Sequence, residues 1–89
     1  ATEHNLLILD LGASVEEIGM AANEMAKSSE GEKKHYIPED KRVLYATKLL
    51  KTGRTETLRF VAPKKPGKYP FVCTFPGHWT IMKGVMTVK

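Results

Sequence analysis

The sequence predicts a mainly β fold, an antiparallel β-sandwich carrying one helix. Three observations predict it. Short runs rich in β-branched and aromatic residues recur along the chain. Clusters of Pro and Gly separate them. Only one stretch repeats its apolar residues at helical spacing. The 89 residues read as a single domain, 1–89, because domains run from roughly 50 to 250 residues.

The first element is an apolar run, Asn5-Leu-Leu-Ile-Leu9, closed by Asp10-Leu-Gly12, which suits a buried strand and turn. Ser14-Val-Glu-Glu17 then forms a capping box, in which the Ser14 hydroxyl accepts from an early helix N–H while Glu17 reaches back. Val15, Ile18, Ala22 and Met25 follow at helical spacing, so residues 15–27 read as one amphipathic helix. The polar stretch Ser28–Lys34, with Gly31 inside it, should end that helix. Beyond the loop Tyr36-Ile-Pro-Glu-Asp40, strands are expected at Val43–Thr47, Glu56–Ala62, Tyr69–Cys73 and Val85–Val88. About five short strands are few for two packed sheets, so the predicted sandwich is incomplete and leaves exposed edges.

Charge is divided between the halves. Residues 1–44 hold five basic and nine acidic side chains, whereas residues 45–89 hold nine basic ones and only Glu56. The lysines and arginines of the second half stand singly or in pairs among apolar residues, without a basic helix or interleaved stacking aromatics, so no nucleic-acid partner is expected. No apolar run approaches the roughly 18 residues of a membrane span, and no basic-then-apolar leader opens the sequence. A core this small needs support from a disulfide, a metal or a partner. Cys73 is the single cysteine, which excludes an internal disulfide.

Chemistry concentrates in Tyr69-Pro-Phe-Val-Cys73-Thr-Phe-Pro-Gly77-His78-Trp-Thr-Ile-Met82-Lys-Gly84. Within ten positions it sets a thiol, an imidazole and a thioether at Cys-x4-His and His-x3-Met spacing. A strand end, the Pro76-Gly77 turn and the start of the next strand let all three converge from one hairpin loop. Thiolate, imidazole and a weak thioether are the donors of a type 1 copper centre, a His2Cys plane with a long axial Met. That site needs a second histidine. His4 immediately precedes an apolar strand that can fix it, whereas His35 lies in a polar loop beside Lys33 and Lys34, so His4 is the better candidate.

Other readings use the same residues. Taken alone, Cys73 is a small buried hydrophobe, and Met20, Met25 and Met86 read as core. A His2Cys set also binds zinc, in a metal-binding or interaction module without redox work. A Cys73–His78 nucleophile–base pair has no third orienting group in the sequence and leaves Met82 idle, so an enzyme is not expected. Trp79, directly after His78, reads either as an aromatic packing the loop or as part of a partner-facing patch with Pro76.

His4-Asn5 before an apolar strand, and Cys73-Thr-Phe-Pro-Gly-His78 with Met82-Lys-Gly84 before a final strand, resemble the azurin and auracyanin branch of the cupredoxins. Met25-Ala26, Tyr36-Ile-Pro-Glu-Asp40, Arg42-Val43 and Thr47-Lys-Leu49 extend the likeness over nearly the whole chain. The resemblance implies a Greek-key sandwich with a helical flap, one copper ion and the shuttling of single electrons. It makes His4, Cys73 and His78 the equatorial ligands and Met82 the axial one. Asn5, Thr74 and Phe75 surround them, with Asn5 bonding toward the ligand loop and backbone N–H groups near Phe75 donating to the Cys73 sulfur. A backbone carbonyl approaches the metal opposite the Met in that branch, from a Gly; Glu3 occupies this position here, so four-coordination is expected. A redox protein such as a c-type cytochrome or a membrane-bound oxidase is the implied partner, in an extracytoplasmic location. Members of the branch carry strands before the first His. The expectation is therefore a fragment, a domain of a larger protein, or a sandwich completed by another segment or chain.

Overall fold

The computed structural model describes residues 3–89. Four strands, β1 (Leu7–Leu9), β2 (Val43–Ala46), β3 (Gly67–Val72) and β4 (Lys83–Val88), form one sheet in the order β2-β1-β3-β4. Every pairing is antiparallel. Helix α1 (Val15–Met25) and the short helix α2 (Ser29–Lys33) lie between β1 and β2 in the chain, and a 3-10 turn (His78–Thr80) lies between β3 and β4. No helix among the described residues is long and apolar enough to cross a membrane.

The fold is mainly β, as the sequence predicts. Strand β1 is its centre, with Leu7, Ile8 and Leu9 all buried. Leu7 and Leu9 share one face and pack with Val72 of β3 and Ile18 of α1 in the apolar core. Ser14 caps α1 as predicted, accepting from Glu17 N–H at 3.1 Å. Arg42, just before β2, ties the helix down, donating to Glu17 at 2.6 Å and bidentately to Asp40 at 2.8 and 3.0 Å. Pro70 is tolerated inside β3 because β1 pairs only with Phe71 and Val72, so the proline lies beyond the end of that ladder.

Met20, read as core, is exposed, and three expectations about the elements are corrected. Residues 56–62 form no strand and join no ladder. Their burial nevertheless alternates, with Leu58 and Phe60 half-buried and Thr57, Arg59 and Val61 exposed. Contacts that involve a side chain attach the segment: Phe60 packs on Tyr45 at 4.8 Å, the Tyr45 hydroxyl donates to the Val61 carbonyl at 3.1 Å, and Glu56 accepts from Lys48 N–H at 3.1 Å. Alternation sets which side faces inward, but a strand also needs a partner's free backbone groups. Without this ladder the described residues build one sheet and no second sheet of the sandwich. The single helical flap is in fact two helices. Helix α1 ends at Met25, the chain extends at Ser28, and α2 begins inside the stretch expected to be loop. Gly31 is not the stop signal; it sits within α2, where a Cβ would strike the Met25 carbonyl.

Candidate metal centre

The loop between β3 and β4 is closed at its neck by backbone. Cys73 follows β3 directly, and its N–H donates to the Met82 carbonyl at 2.9 Å. Inside the neck, Gly77 turns the chain at φ +85°, a conformation that favours glycine, and opens the 3-10 turn that carries His78. His78 N–H donates to Phe75 O at 2.9 Å, and Met82 N–H to His78 O at 2.8 Å. Cys73, His78 and Met82 are thus fixed relative to one another by main-chain bonds. His4 comes from the segment that leads into β1, the strand beside β3, and is held by two backbone bonds to Leu50 of 3.0 and 2.7 Å.

These elements bring His4, Cys73 and His78 together. Their ligating atoms all lie within 4.8 Å of one another. The Cys73 Sγ stands 3.8 Å from Nδ1 of His4 and 3.6 Å from Nδ1 of His78. With metal–nitrogen bonds of about 2.0 Å and metal–sulfur bonds of about 2.3 Å, an angle of roughly 120° separates N and S by about 3.7 Å, and a tetrahedral angle by about 3.5 Å. The two observed distances bracket the trigonal value, so the residues present fit a His2Cys metal site. Met82 ends the loop, and with Asn5, Leu6, Phe71 and Cys73 it lines a cavity of about 290 Å³.

Burial differs among the donors. Cys73 is buried, His78 half-buried and His4 exposed, so backbone pairing rather than enclosure holds His4 in place. Burial, and next the charge of the neighbouring His4, push the His78 imidazole below its ordinary pKa. A neutral ring with a free lone pair is the form that binds metal.

The surrounding groups form a buried network. The Asn5 amide donates to Thr74 Oγ1 at 2.9 Å and to the His35 carbonyl at 2.8 Å, while its oxygen accepts from Thr74 N–H at 2.7 Å. Thr74 Oγ1 donates in turn to the Tyr36 carbonyl at 2.7 Å. Asn5 follows His4 and Thr74 follows Cys73, so the network couples the two ligand-bearing segments. Phe75 packs its ring on His78 at 4.8 Å and edge-on to Tyr36 at 5.7 Å. Its carbonyl takes up the His78 N–H.

His35 is outside the donor cluster, and its Nδ1 accepts from Leu49 N–H at 3.1 Å. Glu3 lines a separate polar groove with Glu32, His35, Leu49 and Lys51. Trp79 packs inward against the apolar core. The sequence reading did not find the carbonyls of His35 and Tyr36, which approach the site because both residues take positive φ, 57° and 55°. It also missed Gly19 and Asn23 of α1, which touch the ligand loop. Their i, i+4 spacing on one helix face was the available signal.

Residues 1–89 match the profile of copper-binding proteins of the plastocyanin/azurin family. The chain belongs to that family. It is 43% identical over 60 residues to an azurin of Pseudomonas aeruginosa, covering 65% of this chain and 40% of that protein. An azurin of Pseudomonas fluorescens biotype A is 37% identical over 82 residues, covering 89% of this chain and 62% of the azurin. The chain therefore spans less than two thirds of these azurins. Dithionite-reduced auracyanin from Roseiflexus castenholzii superposes with a TM-score of 0.81 at 38% identity, covering all of this chain and 68% of the auracyanin. Auracyanin A, a "blue" copper protein from Chloroflexus aurantiacus, gives 0.83 at 28% identity, covering all of this chain and 69% of its own. Within this azurin-like frame, His4, Cys73, His78 and Met82 are consistent with one type 1 copper.

Proposed function

We propose that this chain is a one-electron carrier that would hold copper on His4 Nδ1, Cys73 Sγ and His78 Nδ1, with the Met82 thioether as a further, weak donor. The observation that carries the reading is the pair of imidazole nitrogens flanking one buried sulfur at 3.8 and 3.6 Å. Copper bound there supplies a Cu(II)/Cu(I) couple, with thiolate favouring the reduced state and imidazole suiting both. The protein's part is to keep the donors still. The Cys73–Met82 backbone bond sets the width of the loop, and the Asn5–Thr74 network holds the His4 and Cys73 segments at a fixed distance. Donors that do not rearrange let an electron enter and leave with little reorganisation.

In this reading the electron passes through His78, whose half-buried ring sits on the loop with Pro76, Ile81 and Met82. Ile81 and Met82 are exposed, giving an apolar contact patch with Pro76 at its tip. Trp79, the residue after His78, is half-buried and packs against the apolar core. A redox protein of the kind of a c-type cytochrome or a membrane-bound oxidase is the proposed partner, and an extracytoplasmic compartment the proposed location, both supported by family membership. The basic half, residues 45–89, favours an acidic partner face.

Loading the chain with Cu(II) is expected to give an intense visible thiolate charge-transfer band and reversible one-electron cycling. Cys73→Ser abolishes the band, whereas Met82→Leu keeps it and shifts the reduction potential. A colourless, weakly held copper adduct overturns the proposal. A band without reversible cycling also overturns the carrier reading and leaves the His2Cys set as a zinc-type or degenerate binding module.

A further inference from the structure

Helix α1 does more than cover the sheet. Ile18 and Ala22 of α1 are fully buried in the core, so the helix is anchored independently of the ligand loop. Gly19 is buried in the middle of the same helix, a position where glycine weakens the helix relative to alanine. The space its missing side chain leaves is taken by Trp79. A Cβ at Gly19 would overlap Cγ and Cδ2 of the indole and lie 2.6 Å from Cδ1. One turn further on, Asn23 Oδ1 accepts from the Gly77 N–H at 3.3 Å. The two contacts fall on the residues immediately before and after His78. The indole N–H is buried without an acceptor among the described residues, so the ring is seated by shape and not by a hydrogen bond.

We propose that α1 is the positioning element for His78: Gly19 receives Trp79, Asn23 holds Gly77, and together they fix where the imidazole presents Nδ1 to the Cys73 sulfur. Gly19, Asn23 and Trp79 are positioning residues, since none of them belongs to the donor set. The inference deepens the copper reading and rests on it only for the identity of the metal. Both contacts use protein atoms alone, so they set the loop before metal arrives.

Gly19→Ala, Gly19→Ala/Trp79→Leu, Asn23→Ala and the unaltered chain are compared by three measurements. These are the Cu(II) charge-transfer band with its potential, the affinities for Cu(II) and Zn(II), and the thermal unfolding of the metal-free chain. Gly19→Ala is expected to shift the band and potential and to weaken both metals about 10- to 100-fold. The smaller residue 79 in the double variant restores much of that loss. Asn23→Ala, which leaves the helix core intact, produces a smaller shift of the same kind and speeds amide exchange at Gly77. A Gly19→Ala chain that keeps the band, potential and both affinities overturns the proposal. So does a folded double variant with no recovery. If Gly19→Ala does not fold, Asn23→Ala decides, and unchanged metal binding with unchanged Gly77 exchange is the overturning result. Failure of the copper reading looks different: the unaltered chain lacks the band, while the variants still rank in the same order for Zn(II).

Discussion

Asn5 uses both amide protons and its oxygen at once, on Thr74 and on the His35 carbonyl, and it does so almost fully buried. Replacing it with Ala strands the Thr74 N–H in the interior, where a lost partner costs about 1–3 kcal/mol. The expected outcome is a drop of that size in metal-free stability by denaturant titration, with copper affinity about 10- to 100-fold weaker. Loss of stability with unchanged affinity would separate the network from the metal. The cluster of Cys73 and His78 was legible in the sequence because one short loop carries both, and His4 because a strand follows it. The carbonyls that complete the Asn5 and Thr74 bonds were not. Those of His35 and Tyr36 come from two consecutive non-glycine residues at positive φ, each costing about 1–3 kcal/mol unless its surroundings impose it. No local pattern announces a conformation that tertiary bonds enforce.

Among the elements, the join between α1 and β2 rests on charge. Three hydrogen bonds from Arg42, two from its guanidinium and one from its backbone N–H, hold the Asp40 carboxyl down to about 2 from its ordinary 3.8. The Asp40 carboxylate, and after it that of Glu17, in turn push the Arg42 guanidinium above its ordinary value. Because the folded state lowers the Asp40 pKa, its stabilising effect is fully present above pH 3.8 and fades as pH falls toward about 2. Stability measured across pH 2–4 should therefore slope less steeply in Asp40→Asn than in the unaltered chain; identical slopes would remove Asp40 from the account. The capping box and apolar period of α1 were legible because both are local signals. The 56–62 strand was misjudged because its alternation is real but its ladder partner is a tertiary matter. Helix α2 was missed because its five residues carry no apolar period, and its Gly31 answers the Met25 carbonyl beside it, not a turn.

At the scale of the molecule, one antiparallel sheet with α1 over its core face carries a site assembled from both ends of the chain. His4 and Cys73 are 69 positions apart, yet their side chains meet. Such a site forms only after the long-range β1–β3 pairing exists, so metal binding reports complete folding. The whole chain carries a net charge of +4, which sets the sign of the field that the proposed redox partner would meet. Association with an acidic redox protein should slow as ionic strength rises from about 0.01 to 0.15 M, where screening shortens from roughly 30 to 8 Å. A stopped-flow rate that does not change over that range would assign recognition to the apolar loop tip alone.

Trp79 is the single tryptophan of the chain and is wedged between α1 and the turn that bears His78. Its indole nitrogen meets no acceptor among the described residues. An indole shielded in that way emits at shorter wavelength than one in water, and excitation selective for tryptophan reads a place where helix and ligand loop touch. The protein thus contains its own optical gauge: a red shift reports the loop leaving the helix, and quenching at constant wavelength reports metal arriving on a loop that stayed where it was.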